Sequence, residues 1–268
     1  MTANQTGQQS QVGPLLREWR QRRRLSQLEL ALTAETSSRH VSYVETGRAL
    51  PSRSMVLRLC ETMDVPLRER NTLLLAAGYA PAYRESSLDQ AELASVRSAL
   101  DTMLAAHDPY PAVVVDRYWN VVTGNPAMSV LMTGIPDHLL TPQPNVYRLV
   151  LHPEGLAAHL VNRAQVRAVF LERLLRQVNA TGDPRLRDLY DEVRAYPLPI
   201  DPDDAEEAPG PFEVPIRIRT PMGELRMFST MATFGAPADV TLSELAIELF
   251  YPLDDFTATA LRTLAAAR

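Results

Sequence analysis

Ser38, Arg39, Ser42 and Tyr43 have the clearest chemical use in this 268-residue chain. At about 100° per residue they share one side of a helix with Thr46, while Ser37, Val41 and Val44 fall on the other. A guanidinium at Arg39 suits bidentate reading of a guanine edge, and the two serines suit bases or phosphates. Gln27, at the first turn of the preceding helix, is placed to touch the DNA backbone, where helix-start amides also hold a phosphate. Ser37, His40 and Arg48 complete the DNA-binding set, with His40 near the inward edge as a packing residue or phosphate contact. This chemistry is recognition of double-stranded DNA.

Local signals place these side chains. Ser26 and Glu29 have the spacing of a capping box, and Leu25 and Leu30 that of a hydrophobic staple. A helix is therefore expected from Ser26 to about Ala34. Ser37 reads as a second N-cap, with a helix over Ser38–Glu45 and Gly47 as its left-handed stop. Around this pair the pattern predicts a helix from about Pro14 to Arg24, one capped by Ser52 and running to about Asp64, and one from Leu67 to Ala77 ended by Gly78.

With LSQ, a short link, a polar face and then ETGRALPS, the segment from about Leu15 to Tyr83 resembles the DNA-binding domain of the XRE/Cro/lambda-repressor-like family. Glu35 and Thr36 stand where Gly-Val is commoner in that family's turn. The resemblance implies a buried ion pair between Arg20 on the first helix and Glu45 on the third. It also extends beyond this domain. TSSRHVSYVETGRALPS, PLRERNTLLLAAGYAPAY and VVVDRYWNVVTGNPA together resemble MmyB-like transcriptional regulators, in which a PAS-like ligand-binding domain follows. The implied fold is multidomain, α and α+β: a five-helix domain, then an antiparallel sheet covered by helices. The expected division is 1–12 lead-in, 13–84 DNA-binding domain, 85–108 connecting helix and 109–268 PAS-like domain.

Composition agrees with that division. The net charge is −5, yet residues 1–84 carry 12 arginines against 7 carboxylates, a surplus of 5. Counterion release draws on such a surplus; the remainder of the chain is acidic. No apolar run approaches the roughly 18 residues of a membrane span. A single cysteine, Cys60, excludes an internal disulfide framework and fits a reducing cytoplasm. It lies in an apolar pattern and reads as a small core residue.

Past a helix expected over Leu88–Ala106, the texture changes. Ala112–Asp116 reads as a strand, Asp116–Asn120 as a turn and Val121–Thr123 as the return. Asn125-Pro126 opens a helix through Met132, and helices follow over Val161–Asn179 and Leu186–Ala195. Tyr196–Pro211 is a proline-rich acidic loop. Phe212–Arg219 and Glu224–Phe234 read as strands, and Gly235–Asp239 as a loop. Leu242–Tyr251 suits strand or helix. Asp255 is the expected cap of a closing helix.

No HExxH, zinc-spaced Cys/His cluster, GxSxG, Walker A or GxGxxG occurs, so no catalytic or metal-ligating residue is assigned and no cofactor is expected. Met128, Met132, Phe170, Leu174, Leu225, Met227 and Met231 are candidate walls of a cavity or, equally, a packed core. The MmyB-like resemblance favours a site for a small lipophilic effector such as a fatty acyl chain. Two functions follow. One is a cytoplasmic, ligand-responsive DNA-binding regulator acting as a homodimer. The other is an enzyme or carrier tethered to DNA or a partner by its first domain.

Overall fold

The computed structural model describes residues 11–88, 90–197 and 214–267. The first ten residues of the lead-in and the acidic stretch from residue 198 to Pro211 lie outside the described residues. The chain forms two compact units: Met1–Ser86 with Pro237–Ser243, and Ser87–Ala236 with Glu244–Arg268.

The first unit is built on helices α1 (Val12–Arg22), α2 (Gln27–Thr33), α3 (Ser38–Glu45), α4 (Arg53–Thr62) and α5 (Leu67–Ala76). Leu16, Trp19, Leu30, Val41, Val44 and Leu59 are among the side chains of their shared core. Each helix stops in the same way. Arg24, Glu35, Gly47, Asp64 and Gly78 adopt positive φ after α1 to α5 in turn. The amide of the following residue then bonds back to the carbonyl five residues earlier, as in Thr36 N–H to Ala31 (2.9 Å) and Val65 N–H to Cys60 (2.9 Å). This is the Schellman stop. It ends α1 and α4 two residues before the expected boundaries, because Arg24 and Asp64 have left the helix. Val12, expected in the lead-in, starts α1 and is buried.

The same unit takes in a piece of distant sequence. The single turn α12 (Val240–Ser243) packs on α5. Val240 N–H bonds Arg84 O at 2.8 Å, and Ser86 N–H bonds Asp239 Oδ2 at 3.1 Å. The expected contiguous 13–84 boundary is corrected accordingly: long-range backbone pairing recruits Pro237–Ser243.

The second unit holds strands β1 (Ala112–Val115), β2 (Val121–Gly124), β3 (Ile216–Thr220), β4 (Gly223–Thr233) and β5 (Ala246–Pro252) in one antiparallel sheet of order β2-β1-β5-β4-β3. With its helices it makes the expected PAS-like fold. The segment Leu242–Tyr251, open to either reading, is helical turn to Ser243 and strand from Ala246. The helices are α6 (Ala94–His107), α7 (Ser129–Met132), α8 (Asp137–Leu140), α9 (Val146–Leu151), α10 (Arg163–Thr181), α11 (Pro184–Arg194) and α13 (Asp255–Ala266). Asp254, not Asp255, caps α13, accepting from Thr257 N–H at 2.7 Å.

Buried amides stitch the sheet to its helices. Asn125 accepts from Ala112 N–H at 3.0 Å and donates to Tyr110 O at 2.7 Å. Asn145 caps α9 and donates to Tyr118 O at 2.8 Å in the β1–β2 turn. Each satisfies backbone groups that burial would otherwise leave costly. Cys60 is fully buried, and burial pushes its thiol up to about 12, which suits a core side chain rather than a nucleophile.

Candidate nucleic-acid interface and ligand cavity

The α2–α3 pair is fixed at both helix starts. Ser26 Oγ accepts from Glu29 N–H at 3.1 Å while Glu29 accepts from Ser26 N–H at 2.7 Å, so the capping box forms. Those backbone and side-chain bonds from Ser26 hold the Glu29 carboxyl below its usual range. Ser37 accepts from His40 N–H at 3.1 Å. Between the helices, Glu35 takes φ +50° at the position where glycine is commoner.

Behind α3 lies an ionic clamp. Arg20 meets Glu45 with two parallel bonds, Nε to Oε1 at 2.6 Å and Nη2 to Oε2 at 2.9 Å, and Nη1 donates to Leu25 O at 2.7 Å. The bond to Glu45 raises the Arg20 pKa. Gln27 Nε2 donates to Glu45 Oε2 at 2.8 Å. One amide donor of Gln27 thus joins the clamp, while the half-exposed side chain keeps its second N–H and its oxygen.

With Val41, Val44 and Glu45 buried, Ser38, Arg39 and Thr46 are exposed and Ser42, Tyr43 and His40 half-exposed. Arg39 Nε donates to Tyr43 Oη at 3.0 Å, and its guanidinium lies 5.3 Å from that ring; Arg48 approaches the same ring at 6.0 Å. Tyr43 thus holds two cations on the outer side of α3. Ser37, expected on the inward side, is exposed, because its backbone has already left the helix to act as cap.

In the second unit a cavity lies under the sheet, with about 570 Å³ of space between atoms, solvent at its mouth included. Met128, Met132 and Phe170 line it, joined by residues that sequence reasoning missed, among them Val113, Ile218, Phe250 and Glu248. Leu174, Leu225 and Met227 do not line it; they are fully buried in the packed core. Met231 is 40% exposed and does not line it either, although its parity matches Leu225 and Met227. Alternation gives a face but not how far along a long strand that face is covered. Glu248 was the harder miss, since a glutamate in SELAIEL reads as the solvated side of a strand. The register overturns this: Glu248 pairs with Val113 of β1 and Met231 of β4 on the central strand.

Elsewhere, His138, His152 and Glu154 have ligating atoms within 4.8 Å of one another. His152 Nδ1 accepts from Glu154 N–H at 3.2 Å, while His138 and Glu154 are exposed. His152, just past α9, stands with its ring centroid 5.6 Å from that of His138 on α8.

Residues 96–264 match the MmyB-like transcription regulator ligand binding domain, and residues 11–73 match a helix-turn-helix domain. No curated protein matches the chain. Among solved structures it is similar to an RNA-binding light-oxygen-voltage receptor at 14% identity, covering 96% of this chain and 64% of that one, with a TM-score of 0.26. A superposition that loose carries nothing over.

Proposed function

Because the chain belongs to the MmyB-like transcription regulators, we propose that it is a sequence-specific, homodimeric DNA-binding protein whose operator affinity is set by a small lipophilic molecule, such as a fatty acyl compound, in the second unit. The observation that carries this reading is α3, whose polar face is open while its apolar face and Glu45 are locked from behind. Ser38, Arg39, Ser42 and Tyr43 make a small reading face. Two copies on half-sites about one helical turn apart supply the selectivity one lacks. The apolar lining of the cavity supports a lipophilic effector, and occupancy acts as a coupling free energy on DNA binding.

The test is a gel shift with DNA from upstream of the protein's own gene, with and without lipid extract. A specific shift that the extract alters is expected. Arg39→Ala should cost about 1–3 kcal/mol on the operator and relax choice at one base pair. Equal loss on unrelated DNA would make Arg39 a phosphate contact, and no specific shift at low salt would overturn the regulator reading.

A further inference from the structure

We propose that His138, His152 and Glu154 bind one divalent transition-metal ion of the zinc class, which ties α8 to the loop after α9. The three side chains offer ligating atoms that all lie within 4.8 Å of one another. His138 Nε2 and Glu154 Oε2 are 3.6 Å apart. Two ligands held at about 2.0–2.1 Å in a tetrahedral site stand roughly 3.4 Å apart, so this pair is already near chelating distance. As an ion pair the two would gain little, since both are exposed and 3.6 Å is beyond hydrogen-bond reach. The ring of His152 meets that of His138 edge to face.

The backbone fixes the arrangement. Ile135 and Leu139 pack with Leu149 of α9 in a small buried core, which holds α8 against α9. His152 is the C-cap of α9, and the chain then turns tightly, with Gly155 N–H bonding His152 O at 2.9 Å. A Cβ at position 155 would stand 2.4 Å from Leu149 O, so the turn that keeps Glu154 beside His152 needs its glycine. From the far side the His152 ring rests edge-on against Tyr196, with centroids 4.9 Å apart.

The donor set decides the kind of ion. Two imidazoles and one carboxylate suit zinc and its neighbours, whereas calcium and magnesium prefer oxygen ligands. Water completes the fourth position. His152 Nδ1 accepts from the Glu154 amide at 3.2 Å, so that nitrogen carries no proton. A metal taking it displaces one long hydrogen bond and leaves an amide that water can satisfy at small cost. The side chains of His138 and Glu154 are 57% and 64% exposed, which gives the ion a path from solvent. Leu149 and Leu156, on either side of the loop, line the cavity under the sheet, so a bound ion braces that wall.

The experiment titrates zinc chloride into untagged, chelator-stripped full-length protein by calorimetry, with magnesium chloride as the comparison ion. One zinc ion per chain should bind, and magnesium should not bind at the same concentrations. His138→Ala and Glu154→Gln, both changes to exposed side chains, should each weaken zinc by about tenfold or more. His159→Ala, an exposed histidine outside the trio, should leave it unchanged. Thermal melts of the same proteins show that they are folded, and zinc should raise the melting temperature of the wild type more than that of His138→Ala or Glu154→Gln. Magnesium binding as tightly as zinc would overturn the proposal. So would an affinity that survives both substitutions, or one lost equally in His159→Ala. Loose binding at several sites, shared by every variant, would mark an adventitious ion only and overturn it as well.

Discussion

Glu45 accepts three hydrogen bonds, two from Arg20 and one from Gln27, with its side chain only 3% exposed. It sits on the reading helix, so the same contacts that neutralise it also fix how α3 presents Arg39. A buried pair of this kind need not be worth more than two well-packed apolar residues, but breaking it from one side strands a charge. Arg20→Met and Glu45→Ala are each expected to destabilise the first unit by about 3 kcal/mol. The double variant should lose clearly less than the sum, because the second change removes the stranded charge. Urea unfolding of the four proteins measures this cycle, and small additive losses would show that the clamp is not a coupled unit. The pairing of Arg20 with Glu45 was implied by resemblance to lambda-repressor-like domains; no local signal in the sequence links residues 25 positions apart. The third partner, Gln27, joins from the first turn of α2, again with no local signal of its bond to Glu45.

At the scale of elements, starts were legible and stops only in part. Ser26, Ser37 and Ser52 all cap as expected, since an N-cap is a residue type at a fixed local offset. Gly47 and Gly78 announced their stops. Arg24, Glu35 and Asp64 make the same left-handed stop without a glycine, which leaves no signature in composition. Glu35→Gly should therefore stabilise the first unit by about 1 kcal/mol by relieving a conformation that L side chains adopt at a cost. Gly13 points the other way. It lies within α1, where alanine is ordinarily the better residue by about 1 kcal/mol. However, a Cβ there would stand 2.5 Å from Val44 O and 2.9 Å from Glu45 O, both backbone atoms of α3. Gly13→Ala is expected to destabilise by 2 kcal/mol or more, roughly the cost of overpacking, and thermal melts of the two variants should move in opposite directions. A stabilised Gly13→Ala protein would mean that α1 and α3 do not approach this closely. Such an approach, like the recruitment of Pro237–Ser243 and the burial of Glu248, depends on partners far away in sequence. Periodicity sees none of them, while it sees the apolar faces of α3 and α10 well.

At the scale of the molecule, the acidic surplus beyond residue 84 is not all solvated. Arg148 on α9 grips Glu192 on α11 with bonds of 2.8 and 2.7 Å, and the Tyr196 hydroxyl adds one of 2.6 Å. Those bonds, led by Arg148, hold the Glu192 carboxyl below its usual 4.5, while burial and the bond to Glu192 push the Tyr196 phenol above its ordinary range. Burial would raise Asp183, but hydrogen bonds from Arg117 and the Arg185 amide more than reverse this and leave it below 3.8. Arg117 also bonds Glu244 at 2.9 Å. A carboxyl with a lowered native pKa binds fewer protons folded than unfolded. Its contribution is complete above about pH 4.5 and fades as pH falls through the lowered native values. The two tryptophans allow the second unit to be followed alone, since Trp19 belongs to the first and Trp119 to the second. In a Trp19→Phe background, Trp119 fluorescence should report a stability advantage of Glu192 over Glu192→Gln that is constant from pH 7 to 5. Below about pH 4.5 the advantage should shrink. Both Arg148 and Glu192 remain more than a third exposed, so the advantage should be modest and should fall with added salt. An advantage independent of pH would mean that Glu192 acts through packing and its bond to Tyr196, not through its charge.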